Sequence, residues 1–304
     1  MKKIAVIDIG SNSLRLLKAD LVNGRIISRE KIKRTTRLGK GVDSTKKLNQ
    51  HSIKKSIDAI RFFYEKLKNE NYQLIEIIGT SALRDANNSL EFIKKIENIT
   101  KMEVKIISGK KEAEYGFLGA TFDKNKKNSF VIDIGGGSTE IIYGNKNIEI
   151  LDSLDIGAVR LTDKCISEDP IKNDDLDKLK KEIDKNLKIF FDNKDYKKDF
   201  QIVGIGGTIT TLASIDLKME KYKPKKINNY ILEKSSINNQ IKEFINCDLK
   251  QRKKIIGLEK DRADIILAGS LILKRILDYL NQDKIIISDY DNLEGVIYKD
   301  FLND

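Results

Sequence analysis

Two short runs place an acid, glycines and hydroxyl residues where phosphate chemistry can be done: Val6-Ile7-Asp8-Ile9-Gly10-Ser11-Asn12-Ser13 and Val131-Ile132-Asp133-Ile134-Gly135-Gly136-Gly137-Ser138. An apolar strand that ends in Asp and turns through Gly leaves backbone N–H groups pointing outward, a nest for phosphate oxygens. Glycine allows the left-handed dihedrals and the close approach of a ligand. Asp8 and Asp133 sit where the chain leaves its sheet, and a carboxylate beside bound phosphate suits Mg²⁺ held through water. A single copy reads equally well as a plain hairpin whose Asp caps the turn; two copies and a third glycine turn favour the phosphate. That third turn is Gly204-Ile205-Gly206-Gly207-Thr208. The N–H groups of Gly206, Gly207 and Thr208 would meet an anion with a helix dipole behind them, although a simple helix start also accounts for the pattern.

The elements that must position these turns repeat as well. Strand Ile4 to Asp8, a tight turn, strand Ser13 to Asp20, a hairpin turn at Asn23-Gly24 and strand Arg25 to Lys33 read as an antiparallel meander. At one constant offset Asp133 falls on Asp8, Ser138 on Ser13 and Glu140 on Arg15, and strands Thr139 to Tyr143 and Ile148 to Leu154 restate the meander. Matched architecture downstream makes duplication the better explanation. Ile53, Ile57, Ile60, Phe63 and Leu67 recur at helical spacing, as do Leu176, Leu179, Ile183, Leu187 and Phe190. Asn88 and Glu91 are spaced as an N-cap and its partner. The lysine-rich stretch from Asp123 to Asn128 reads as a linker, so the expected domains are 1–124 and 125–304, facing each other across an interdomain cleft, with the last helix free to return to the first domain. The odd count from Asp133 to Glu140 leaves open whether both acids share a face, because the glycine turn interrupts strand alternation.

Composition narrows the function classes. The single histidine, His51, lies in the polar run Asn49-Gln50-His51-Ser52 that opens a helix, which removes Ser-His-Asp triads and HExxH zinc sites. Cys165 and Cys247 are too few and too far apart for a disulfide framework. A net charge of +11 over 304 residues favours polyanionic partners, but the lysines are scattered among acids. Nucleic acid is not expected, nor is a membrane: no apolar run approaches a span, and the chain reads as cytoplasmic.

The ordered runs VIDIGSNSLRLL, GTSALRDA, ISGKKEAEYGFLGA, VIDIGGGSTE, DIGAVRLT, IVGIGGT and DRADIILAG resemble the exopolyphosphatase and guanosine-pentaphosphate phosphohydrolase (Ppx/GppA) family of the actin-like superfamily, from Val6 to Gly269. The resemblance implies an α/β protein with a duplicated actin-like, ribonuclease H-like fold, here as the two-domain core. It implies Mg²⁺-dependent hydrolysis of a terminal phosphoanhydride by water, on polyphosphate, pppGpp or ppGpp. Glu112 matches the family's catalytic glutamate, and Arg84 an arginine that contacts the transferring phosphoryl. Asp133 and Glu140 match the metal and water arrangement, with Asp8 a further metal ligand. Phosphate binding falls to Ser11, Asn12, Ser13 and Arg15, to Gly135, Gly136, Gly137 and Ser138, and to Gly206, Gly207 and Thr208. Arg160 and Arg37 are candidates for a polyanion path, and a homodimer is compatible with the pattern. Two positions depart from the family. Lys111 stands where an acid is common, and Asp291-Asn292-Leu293-Glu294-Gly295 replaces GLREG, leaving an anion contact or the last helix's geometry in question. A non-catalytic polyphosphate or alarmone sensor and an ATP-using kinase of the same superfold are the alternatives.

Overall fold

The computed structural model describes every residue except 24, 123–126, 146, 193 and 302–304, together with the backbone but not the side chains of 300 and 301. Gly24 of the expected hairpin turn and most of the lysine-rich linker therefore lie outside the described residues. The chain divides into two units, Met1–Gly119 with Asn292–Asp304, and Ala120–Asp291.

The first unit is built on a five-stranded sheet. Its strands are β1 (Lys2–Ile9), β2 (Ser13–Val22), β3 (Arg25–Thr35), β4 (Gln73–Gly79) and β5 (Val104–Ile106), in the order β3-β2-β1-β4-β5. The first three form the antiparallel meander, and β4 and β5 continue the sheet in parallel with β1. From Ile4 to Ile9 every residue of β1 is buried, because both faces of this central strand are covered. Ala5, Ile7 and Ile9 pack with Ile60 and Phe63 of helix Gln50–Asn69 and Phe92 of helix Ser89–Thr100. Ile4 and Val6, on the opposite face by strand alternation, pack with Leu293, Val296 and Ile297 of the terminal helix Asn292–Phe301.

The second unit repeats the plan. Its strands are β6 (Ser129–Ile134), β7 (Thr139–Gly144), β8 (Ile148–Leu154), β9 (Gln201–Ile205), β10 (Ile231–Glu233) and β11 (Lys284–Ile287). Read from β8, the order β8-β7-β6-β9-β11-β10 superimposes on the first sheet strand for strand, with β10 added at the edge. This is the duplicated α/β fold that the repeated turns imply. Helices Asn173–Phe191, Gly206–Asp216 and Ile266–Tyr279 enclose one continuous apolar core around β6.

One local expectation differs from the structure. Asn88 does stand at the N-cap position, but its side chain makes no cap bond. It is stapled to Leu48 instead, accepting from the backbone N–H and donating to the carbonyl, so a tertiary contact outcompetes the cap. The helix Ile266–Tyr279 is preceded by a 3₁₀ turn at Lys260–Arg262. Asn49 caps helix Gln50–Asn69 through Ser52 N–H, which leaves His51 exposed in its first turn. Cys165 and Cys247 are both free thiols.

Candidate active site

The two repeated turns close in the same way. Gly10 N–H donates to the Ser13 carbonyl at 3.2 Å, and Gly135 N–H to the Ser138 carbonyl at 3.0 Å. Across these hairpins Asp8 pairs in register with Arg15, and Asp133 with Glu140. Register thus settles what spacing left open: Asp133 and Glu140 are cross-strand partners on one face. In the first copy the acid meets a cation. Arg15 donates to Asp8 Oδ2 through Nε at 2.9 Å and Nη2 at 2.5 Å, and through Nη2 to Asn292 Oδ1 at 2.7 Å. In the second copy two buried carboxylates face each other, and Glu140 Oε1 accepts from Ser153 Oγ at 2.7 Å.

The first turn is a buried polar cluster. Ser11, Asn12, Ser13, Thr36 and Ser81 are all at least nine-tenths buried. Ser11 and Ser81 share a hydroxyl hydrogen bond at 2.8 Å, and the Asn12 carbonyl accepts from Thr36 N–H and Arg37 N–H. Among the described residues Asn12 Oδ1 and Nδ2 and the Thr36 hydroxyl have no hydrogen-bond partner. Leaving such groups buried and unmade costs about 1–3 kcal/mol each, and a bound oxyanion would satisfy the two donors, Asn12 Nδ2 and the Thr36 hydroxyl. Ser81 lies in the run GTSALRDA and Thr36 in none of the motif runs; only folding brings Ser81 to Ser11 and Thr36 to Asn12.

In the second unit the glycines are held by their carbonyls. Helix Ala158–Cys165 points its first amides at them, with Ala158 N–H on Gly135 and Val159 and Arg160 N–H on Gly136. Arg160 Nε donates to the Gly137 carbonyl at 2.7 Å, so this arginine shapes the loop directly. A Cβ at Gly157 would lie 2.4 Å from the Gly136 oxygen, which explains the glycine of the Asp155-Ile156-Gly157 run. Beside it, Gly206 adopts φ +82 and opens helix Gly206–Asp216; a Cβ there would lie 2.1 Å from Asp133 Oδ1. The third turn therefore packs directly on the carboxylate of the second. A Cβ at Gly207 would lie 1.8 Å from Arg262 Nη2, and the Thr208 side chain packs on Gly269. Arg262 is buried, donates to Glu259 at 2.8 Å, and was given no role in the sequence reading, although its run DRADIILAG was visible. No periodicity could tie it to a glycine far upstream.

Arg84 and Glu112, far apart in sequence, meet in the first unit. Arg84, on the short helix Ser81–Asp85 after β4, donates through Nη1 to the Ile107 carbonyl at 2.7 Å and to Glu112 Oε2 at 3.3 Å. Glu112 lies in the first turn of helix Gly109–Thr121, where the macrodipole favours a carboxylate. Lys111 turns along its own helix to Glu114 at 3.0 Å and over the Tyr115 ring. At the other departure, Leu293 is fully buried and the terminal helix forms, so the helix tolerates the change.

Asp133 and Glu140 fit a divalent cation. They are hard oxygen donors, buried and directly opposed, and Mg²⁺ would complete its shell with water and substrate oxygens. Among the described residues no group of three or more His, Cys, Asp or Glu has metal-holding geometry. Asp8, the further candidate, is ion-paired with Arg15 at 2.5 Å.

Two α/β sheets with matching strand order, each carrying glycine turns at the ends of its strands, define a duplicated actin-like protein of the phosphate-handling kind. The chain belongs to the Ppx/GppA phosphatase family, whose model matches residues 19–304, and it is thereby a hydrolase. The Aquifex aeolicus member of the Ppx/GppA family has a similar crystal structure, with a TM-score of 0.82 at 30% identity, covering 99% of this chain and 98% of that one. Exopolyphosphatase 2 of Mycobacterium tuberculosis is 28% identical over 97% of this chain and 98% of its own length. A bifunctional 3-dehydroquinate synthase/phosphatase of Fusobacterium nucleatum is 39% identical over 96% of this chain, which spans only 46% of that relative.

Proposed function

We propose that this protein releases the terminal phosphate of inorganic polyphosphate or guanosine pentaphosphate, with Mg²⁺ as cofactor and water as nucleophile. The observation that carries the reading is the buried polar cluster at Asn12 and Thr36: among the described residues the Asn12 amide N–H₂ and the Thr36 hydroxyl are buried donors without partners, in the turn that leads to Arg15, and they suit an oxyanion. Phosphoryl transfer needs positioning and charge neutralisation more than covalent chemistry. The Val6 turn grips substrate phosphate through its N–H groups, Asn12 and Arg15. Arg84 exchanges its contact with Glu112 for the transferring phosphoryl, which frees the carboxylate to orient the attacking water and accept its proton. Bound Mg²⁺ would neutralise charge on the phosphate oxygens, held by Asp133 and Glu140. Ser153 holds Glu140, and Gly206 leaves room for Asp133.

The test is phosphate release from long polyphosphate, tripolyphosphate, pppGpp and ATP, each with Mg²⁺ and with EDTA. Release from at least one of the first three, abolished by EDTA, is expected. Silence on all four with retained binding would favour the sensor, and ATP turnover that needs an added acceptor would favour the kinase.

A further inference from the structure

The start of the terminal helix does more than complete the core of the first unit. Asn292 is 1% exposed, and its Oδ1 takes the hydrogen bond from the same Arg15 nitrogen that reaches Asp8. Two residues on, Glu294 is fully buried between Arg29 at 2.5 Å and Lys31 at 2.9 Å, both on β3. In register Ala19 faces Arg29, Leu17 faces Lys31 and Arg15 faces Lys33, so these cations share one face of the meander with Arg15. Next, Gly295 presses on the helix that carries Glu112: a Cβ there would lie 1.8 Å from the Tyr115 carbonyl oxygen. Three nearly adjacent residues thus fasten one helix to the phosphate turn, to the edge strand and to the Glu112 helix. An arginine at this depth needs its N–H groups satisfied. A second carboxylate would do so but would cancel charge that a phosphate must find. An amide oxygen satisfies the donor and leaves the charge in place.

We propose that Asn292 is a positioning residue for Arg15, fixing the guanidinium beside the first phosphate turn without adding a second carboxylate to the one that Asp8 supplies. The amide stands in the segment where the chain departs from GLREG. The proposal rests on the phosphate-binding reading of the Val6 turn.

A double-mutant cycle tests it, read as the affinity for tripolyphosphate by calorimetry in EDTA, where turnover plays no part. Asn292→Leu should weaken binding about tenfold, the scale of one lost hydrogen bond to a charged group. In an Arg15→Ala background the same change should weaken it less than twofold. Asn292→Ser, too short to reach Arg15, should behave like Asn292→Leu and keeps the test open should the leucine variant fail to fold. Unchanged affinity in a folded variant, or equal losses with and without Arg15, would overturn the proposal. Wild type that binds tripolyphosphate but hydrolyses nothing would sink the hydrolase reading and leave this one standing; wild type that does not bind in EDTA would sink this proposal and leave the hydrolase reading to its own test.

Discussion

Glu112 illustrates how little a residue says until its neighbours are known. In sequence it is an acid in a lysine-rich helix; in the structure it stands 3.3 Å from Arg84, with the first turn of a helix beneath it. Glu112→Gln should retain substrate binding and lose about 10²–10⁴-fold in kcat, the contribution of a general base. Near-normal turnover in that variant, measured by phosphate release, would remove Glu112 from the mechanism. Gly206→Ala makes a second, steric prediction. The new methyl would collide with Asp133 Oδ1 at a backbone φ of +82, so the carboxylate must move. Mn²⁺ affinity should fall at least tenfold, followed by titration of the purified variant, while a surface Gly41→Ala control should leave it unaltered.

At the scale of elements, charge fastens helix to sheet. Lys18 of β2 is buried and paired with Glu30 and with Glu70, the residue that ends helix Gln50–Asn69. The Lys18 ammonium, and then Lys66, hold the Glu70 carboxyl down from its ordinary 4.5 to about 2. A depressed carboxyl stabilises the fold above its unfolded value, and the contribution is lost as pH falls from about 4.5 towards 2. Wild type should therefore lose melting temperature across that window, and Glu70→Gln, lower in Tm at neutral pH, should lose less there. Parallel Tm curves for the two proteins would refute the linkage. The glycine turns belong to this scale too. Helix Ala158–Cys165 and helix Gly206–Asp216 brace the Val131 turn from two sides, whereas Ser81 and Thr36 close in on the Val6 turn.

For the whole molecule, the return of the chain to its first unit matters most. Leu293, Val296 and Ile297 are completely buried against Ile4, Val6 and Leu17, at roughly 1.5–3 kcal/mol of gross burial per side chain. Against a typical net stability of about 5–15 kcal/mol, removing them is decisive. A chain truncated after Asp291 should lose cooperative melting of the first unit, which hydrogen exchange would report as lost protection in β1 and β2. Retained protection there would mean that the terminal helix is dispensable to the fold.

Much of this was written in local pattern. Alternating and continuous apolar runs, glycine at positions that admit no Cβ, and one motif restated at a constant offset specify duplicated α/β units, because strand period and turn chemistry depend on near neighbours in the chain. The acids and arginines of the motifs were legible for the same reason, and the Ppx/GppA family could be recognised from their order. Tertiary structure alone decided the pairings. Asp8 faces a guanidinium while Asp133 faces a carboxylate, so two turns that begin alike carry different cross-strand pairs. Arg84 meets Glu112, Arg262 lies on Gly207, and Asn292 catches Arg15 from the far end of the chain. Such contacts follow from strand register and from which helix covers which face, and they carry no periodicity that a sequence can display.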